Sequence, residues 1–385
     1  MQGFVFTRKQ AASNRMPRQI NRNLVFNLIR THQPISRADL ARVSGLQRST
    51  VSLIVEGLIQ QRWIIETAVA LTPRGRRPTF ISLNDKRAVV ALDIHPGQTM
   101  VAIADLGGRI VAQNLIELPK DTKKVVPAIV AGIRNMLILH KDKSIDGIGI
   151  CLPGRTDPRK QELIFAPNLK WPLLSLKSKI EEATGLPVEM DNVANACALS
   201  EVWFGDSDGT HDLVVVNISE GIGTGIFVNG ELLRGADGMA GEFGHIEIAP
   251  DGPLCGCGNR GCWEVMASNR AAIRYYNELT HTTSSPSFDV LVKQSQHGDK
   301  AATEALTKMA TNIGKGIRMI VAALAPREIV VVGDITTAWY SFSRVIEDEV
   351  RRNSWAKDLI LRPASDGNLA RLRSAVALTL RKGAL

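Results

Sequence analysis

The sequence predicts an α/β body with a mixed sheet, preceded by a small winged helix-turn-helix module. Three observations lead there. Residues 1–83 read as helix, glycine turn, helix and then two short strand-like runs. From about residue 87, strands come first in pairs and then alternate with helices, the order of an α/β body. The charge also divides between these parts: residues 1–83 carry 13 Lys+Arg against 3 Asp+Glu, leaving 34 basic and 35 acidic residues for the rest of the 385-residue chain.

A small basic module joined to a near-neutral body is the charge distribution that nucleic-acid binding requires. In the module, Ile20, Leu24, Leu28 and Ile29 recur at helical spacing and predict a helix over 18–31, ended by Pro34. Ser36 caps the next helix, with Asp39 at the capping-box position. Gly45 makes the turn, and Gln47 or Ser49 opens a helix whose apolar stripe is Val51, Ile54, Val55, Leu58 and Ile59. In a helix-turn-helix the first residues of this second helix face base edges in the major groove. These are Gln47, Arg48, Ser49, Thr50 and Ser52, with Arg37 at the start of the preceding helix counted among the DNA contacts. Arg48 suits a bidentate contact to guanine. Runs beginning at Trp63 and Thr79 flank ALTPRGRRP, which reads as the wing, its Arg74, Arg76 and Arg77 forming a cationic strip for a minor groove or for phosphates. The expected partner is double-stranded operator DNA, and two-fold operators imply a homodimer or homotetramer.

In the body, residues 89–94, 100–106 and 108–112 read as successive strands, a helix follows over 125–140, and residues 145–152 form a further strand. A strand–turn–strand opening recurs at Leu213 and Ile226, and a long helix spans 299–324. No apolar run approaches a membrane span, the first residues lack the apolar core of a secretion signal, and cysteines are few. A cytoplasmic protein with no membrane partner is expected.

The chemistry concentrates in GEFGHIEIAPDGPLCGCGNRGCWE, residues 241–264. His245, Cys255, Cys257 and Cys262 make a Cys₃His set, the closed shell of structural Zn²⁺. Glycines 256, 258 and 261 let the backbone turn tightly enough for the thiolates to converge. Glu242 and Glu264 bracket the set and are placed to accept hydrogen bonds from hydroxyl groups.

GEFGH followed by CGCGNRGCWE resembles the signature of the ROK family, which combines sugar kinases with sugar-responsive transcriptional repressors. The resemblance implies an actin-like ATPase (ribonuclease H-like) body of two lobes around a cleft. It places the lobes at 84–190 plus 370–385 and at 191–369, behind a DNA-binding domain over 1–83. It implies zinc on His245, Cys255, Cys257 and Cys262, and a sugar or sugar-phosphate held by Glu242, His245 and Glu264. The APN and MDN stretches resemble the family's cleft loops and add Asn168 and Asn192 to the sugar-binding set.

Departures from the kinase pattern separate the functional alternatives. The kinases' catalytic aspartate corresponds to Val193, which accepts no proton. Their first phosphate loop, Asp-x-Gly-Gly-Thr, reads Asp93-Ile-His-Pro-Gly-Gln, where Pro96 has no amide to offer. Asp334 stands where a glycine usually faces the nucleotide, adding charge that repels polyphosphate. The expectation is a sugar-responsive DNA-binding regulator, a repressor with no catalytic residue. The alternatives are a sugar kinase carrying a DNA-binding head, or a regulator controlled by a protein partner.

Overall fold

The computed structural model describes residues 15–67, 79–157, 159–166, 168–169, 171, 174–205, 212–282, 286–352 and 356–384. Two compact units emerge, residues 1–87 with 380–385, and residues 88–379.

The first unit contains helices Arg15–His32, Arg37–Ser44 and Arg48–Gln60. Ser36 caps the middle helix by accepting from the Asp39 amide, and Gly45 ends it at φ 70°. That left-handed turn is open to glycine at little cost and sets the angle of the next helix. Strand Phe80–Leu83 lies between Ile35–Ser36 and Ile64–Thr67, antiparallel to both. Arg74, Arg76 and Arg77 of the expected wing lie outside the described residues.

Within the first helix the core is drawn partly from positions outside the spacing that predicted the helix. Val25, Phe26 and Ile29 are fully buried, whereas Leu24 is exposed. At about 100° per residue, one position separates the core face from its shoulder, and Phe26 takes the core by meeting Trp63 edge-to-face at 5.7 Å. The short strand Ile35–Ser36 was also unforeseen, since two residues carry no periodicity.

The second unit holds two five-stranded sheets with the same topology. The first runs Ile110–Glu117, Gln98–Asp105, Arg87–His95, Ser144–Leu152, Val188–Asn192. The second runs Glu231–Leu232, Ile222–Val228, Leu213–Ile218, Glu328–Val332, Ile360–Pro363. Each begins with an antiparallel meander and continues with parallel strands reached through helices. Strands such as LVVVNI are buried along their whole length and accordingly read as unbroken apolar runs.

Each sheet has its own apolar core. One joins Val90, Leu92, Ile148 and Ile150 to Ile129 and Ile133 of helix Thr122–Leu139. The other joins Val214, Val216, Ile329 and Val331 to Met309, Ile313 and Ile317 of helix Lys300–Leu324. The last helix, Ala370–Ala384, reaches the first sheet at Gly149: a side chain there would collide with the Ala375 carbonyl. Among the described residues no helix is long and apolar enough to cross a membrane.

Candidate ligand cavity and metal centre

The central strands of both sheets end at one cavity of about 340 Å³, the position open α/β sheets favour for ligands. Residues just past those ends line it: His95 and Pro96, Gly154 and Arg155, Asn192 and Val193, and the turn Ser219–Thr224. The loop 238–245 and the start of helix Trp263–Ala267 line it as well. All five residues expected to meet a sugar border this cavity: Asn168, Asn192, Glu242, His245 and Glu264.

Their environments differ. Asn192 caps helix Val193–Phe204, its Oδ1 accepting from the Ala194 amide at 2.8 Å while Nδ2 donates to the Gly154 carbonyl. One amide lone pair and one N–H remain for a ligand. Glu264 Oε2 accepts from the Ile222 amide at 3.1 Å. Burial raises the Glu264 pKa, against the pull of His245, that amide and Arg270. Gly221 forms the floor, since a side chain there would collide with Glu264 Oε2 and approach Asn168 Nδ2 to 3.0 Å.

His245 connects the cavity to the cysteine cluster. Its Nδ1 lies 3.5 Å from Cys255 Sγ, and its Nε2 lies 3.7 Å from Glu242 Oε2. The donor atoms of His245, Cys255, Cys257 and Cys262 all lie within 4.8 Å of one another, so this set could hold a metal ion. Cys257 and Cys262 stand 3.6 Å apart, close to the ~3.8 Å tetrahedron edge implied by metal–sulfur bonds of about 2.3 Å. The loop closes through the Asn259 carbonyl, which accepts from the Cys255 amide at 2.7 Å. Gly261 at φ 59° passes so close to Ala249 that any side chain would strike its carbonyl. Burial, then Cys257 and Cys255, push the Cys262 thiol up to about 12. A cation supplies the countercharge that such a thiol needs to ionise.

The phosphate-loop side has a different character. Asp93, where the kinase pattern has its first aspartate, is gripped by the Arg371 guanidinium at 2.8–3.1 Å and by His95 Nε2 at 2.8 Å. Burial alone would raise the Asp93 pKa, but Arg371 and His95 hold it well below the ordinary carboxylate range. Arg371 also donates to Ser219 Oγ at 3.3 Å. Val193 lines the cavity beside Asn192. Asp191 is buried and engaged by Arg234 at 2.5 Å and by Thr156 at 3.2 Å. Asp334, expected to repel a nucleotide, accepts a 2.6 Å bond from Asn269. Sequence reasoning passed over Arg371, Arg234, Arg155 and Arg270. No local pattern marks them, because Arg371 lies 278 residues from Asp93 and Arg270 lies 102 from Asn168.

In the first unit, Gln47, Arg48 and Ser49 are exposed at the start of helix Arg48–Gln60, and Thr50 and Ser52 are half-buried beside them. Gln47 occupies the N-cap position without a side-chain cap bond. Arg37 differs from its companions, as its guanidinium pairs with Glu66 at 2.7 Å.

Residues 89–382 match the sequence profile of the ROK family. The chain belongs to the ROK family. It is 32% identical over 322 residues to the xylose repressor of Bacillus subtilis strain 168, covering 83% of each chain. Among solved structures it resembles a ROK-family transcriptional regulator described as a homologue of the E. coli MLC protein. That likeness has a TM-score of 0.79 at 27% identity, over 95% of this chain and 97% of the other. It also resembles a ROK-family glucokinase from Streptomyces griseus solved with glucose and AMPPNP, with a TM-score of 0.69 at 28% identity, over 76% of this chain and 98% of the kinase. The ROK kinase thus accounts for less of this chain than the ROK regulator does.

Proposed function

We propose that this protein is a cytoplasmic, sugar-responsive DNA-binding regulator, a repressor of carbohydrate transport or catabolism genes, whose kinase-like body performs no phosphoryl transfer. One contrast within the cavity carries the reading. Asn168, Asn192, Glu242, His245 and Glu264 border it, while Val193 fills the base position and Arg371 neutralises Asp93. General-base assistance alone is worth about 10²–10⁴-fold in rate. The similarity to a xylose repressor over most of both chains supports the same choice.

In this reading Zn²⁺ is held by Cys255, Cys257, Cys262 and His245 Nδ1 and fixes the loop structurally. His245 Nε2 then faces the cavity beside Glu242 as a donor. A sugar or sugar-phosphate binds among the asparagines and carboxylates, each able to discriminate hydroxyl orientation. Gln47, Arg48, Ser49, Thr50 and Ser52 meet operator DNA, with Arg74, Arg76 and Arg77 as the wing. Arg37, paired with Glu66, adds charge near the backbone but is less available for bases. A homodimer or homotetramer presents paired heads to a two-fold operator.

An ATP-coupled assay across hexoses and pentoses tests the enzymatic part. The expected result is no turnover above background, and robust phosphorylation of any sugar overturns the reading. For the DNA part, Arg48→Ala with Thr50→Ala is expected to weaken operator binding in a gel shift while zinc content stays unchanged. An unaltered shift contradicts it.

A further inference from the structure

Arg270 directs its guanidinium at three acceptors on Asn168 and Glu220, two residues that border the cavity. NH2 donates to Asn168 Oδ1, and Nε lies 2.7 Å from the Glu220 carbonyl and 3.3 Å from the Glu220 carboxylate. A guanidinium has only donors. The Asn168 atom facing it must therefore be the carbonyl oxygen, which resolves which way the amide points. Nδ2 is turned to the opposite side, toward Gly221 and the Glu264 carboxylate. Among the described residues Nδ2 has no protein partner. The asparagine comes from the segment between strand Leu163–Phe165 and helix Leu176–Thr184. Arg270 and Glu220 instead belong to the part of the chain built on the second sheet.

We propose that Arg270 is a positioning residue that fixes Asn168 as a hydrogen-bond donor to the ligand, beside Glu264 as the acceptor. This rests on the sugar-binding reading and specifies what the subsite recognises. A fixed donor next to a fixed acceptor matches a sugar hydroxyl, which accepts one bond and donates another. Without Arg270 the amide rotates about its last torsion and presents oxygen or nitrogen with little preference. An oxygen facing Glu264 would set two acceptors against each other, so the ligand hydroxyl would satisfy only one of them. Lysine would not restore the grip fully, because a single ammonium lacks the fork that reaches Asn168 and Glu220 together.

The test uses calorimetry on the full zinc-loaded chain with D-xylose, D-glucose and N-acetyl-D-glucosamine as probes. For whichever probe binds the wild type, Arg270→Ala is expected to lower affinity about tenfold, the equivalent of one ligand hydrogen bond. Arg270→Lys should fall between the two. Asn168→Ala should lose at least as much, and Arg270→Ala combined with Asn168→Ala should lose no more than Asn168→Ala alone. A merely structural role would give additive losses together with a lower melting temperature. Unchanged affinity in Arg270→Ala, or additivity in the double variant, overturns the inference and leaves the sugar reading standing. Silence of the wild type across all three probes overturns both.

Discussion

Arg371 illustrates what one buried charge does in this cavity. It neutralises Asp93 by donating to both carboxylate oxygens, donates to Ser219, and is itself almost fully buried. A buried ion pair adds little net stability over an apolar pair, yet removing one partner strands the other charge. Arg371→Met is therefore expected to cost roughly 3–5 kcal/mol in urea denaturation, and adding Asp93→Asn should recover part of that loss. The pH dependence has a definite sign. The folded Asp93 pKa is depressed, so the pair contributes fully above the ordinary carboxylate value of about 3.9 and progressively less below it. The stability gap between wild type and Asp93→Asn should thus be widest near neutrality and narrow as the pH falls below about 4. The sequence showed that the phosphate loop was altered, because Pro96 and His95 stand in the motif itself. It did not show Arg371, whose position at the loop depends on the last helix returning to the first sheet.

At the scale of elements, the metal loop is braced from behind by the long helix Lys300–Leu324. Trp263 lies between Cys262 and Glu264, is fully buried, and donates its indole N–H to the Asn312 carbonyl at 2.9 Å. Its ring lies against Gly316, where any side chain would overlap it. Gly316→Ala should push Trp263 outward and move a metal ligand and a cavity carboxylate together. Overpacking of this kind costs about 1–3 kcal/mol. The expected outcome is a lower melting temperature with reduced zinc content by mass spectrometry, and full zinc retention would show the brace to be dispensable. Gly316 was not singled out in the sequence, because periodicity reports which face of a helix is buried and not what lies against it. The same limit applies to the first helix, where Leu24 belongs to the spacing that predicts the helix yet is exposed, while Phe26 meets Trp63 in the core. The Cys₃His cluster that could hold a metal ion and the capping of Arg37–Ser44 were legible, because each falls within one short stretch of sequence. The five residues expected to meet a sugar were named through family motifs and all border the cavity, while the arginines that bond Asn168 and Asp93 fell outside any motif.

For the whole molecule, one topology occurs twice, and the ends of the central strands of both copies border the cavity. A ligand that touches both halves, as Asn168 with Glu264 would allow, binds best to one arrangement of them. Differential binding of this kind is what a ligand needs to shift a conformational equilibrium. If the sugar weakens operator binding, linkage requires the operator to weaken sugar binding by the same factor. Fluorescence anisotropy gives the operator Kd with and without saturating sugar, and calorimetry gives the sugar Kd with and without saturating operator. The two ratios are expected to agree, in the range of about 5–150-fold that corresponds to 1–3 kcal/mol of coupling. Asn168→Ala together with Glu264→Gln should weaken sugar binding while leaving the sugar-free operator Kd unchanged, because neither residue belongs to the first unit. Ratios of unity, obtained with a sugar that demonstrably binds, would separate the cavity from the control of DNA and favour regulation by a protein partner.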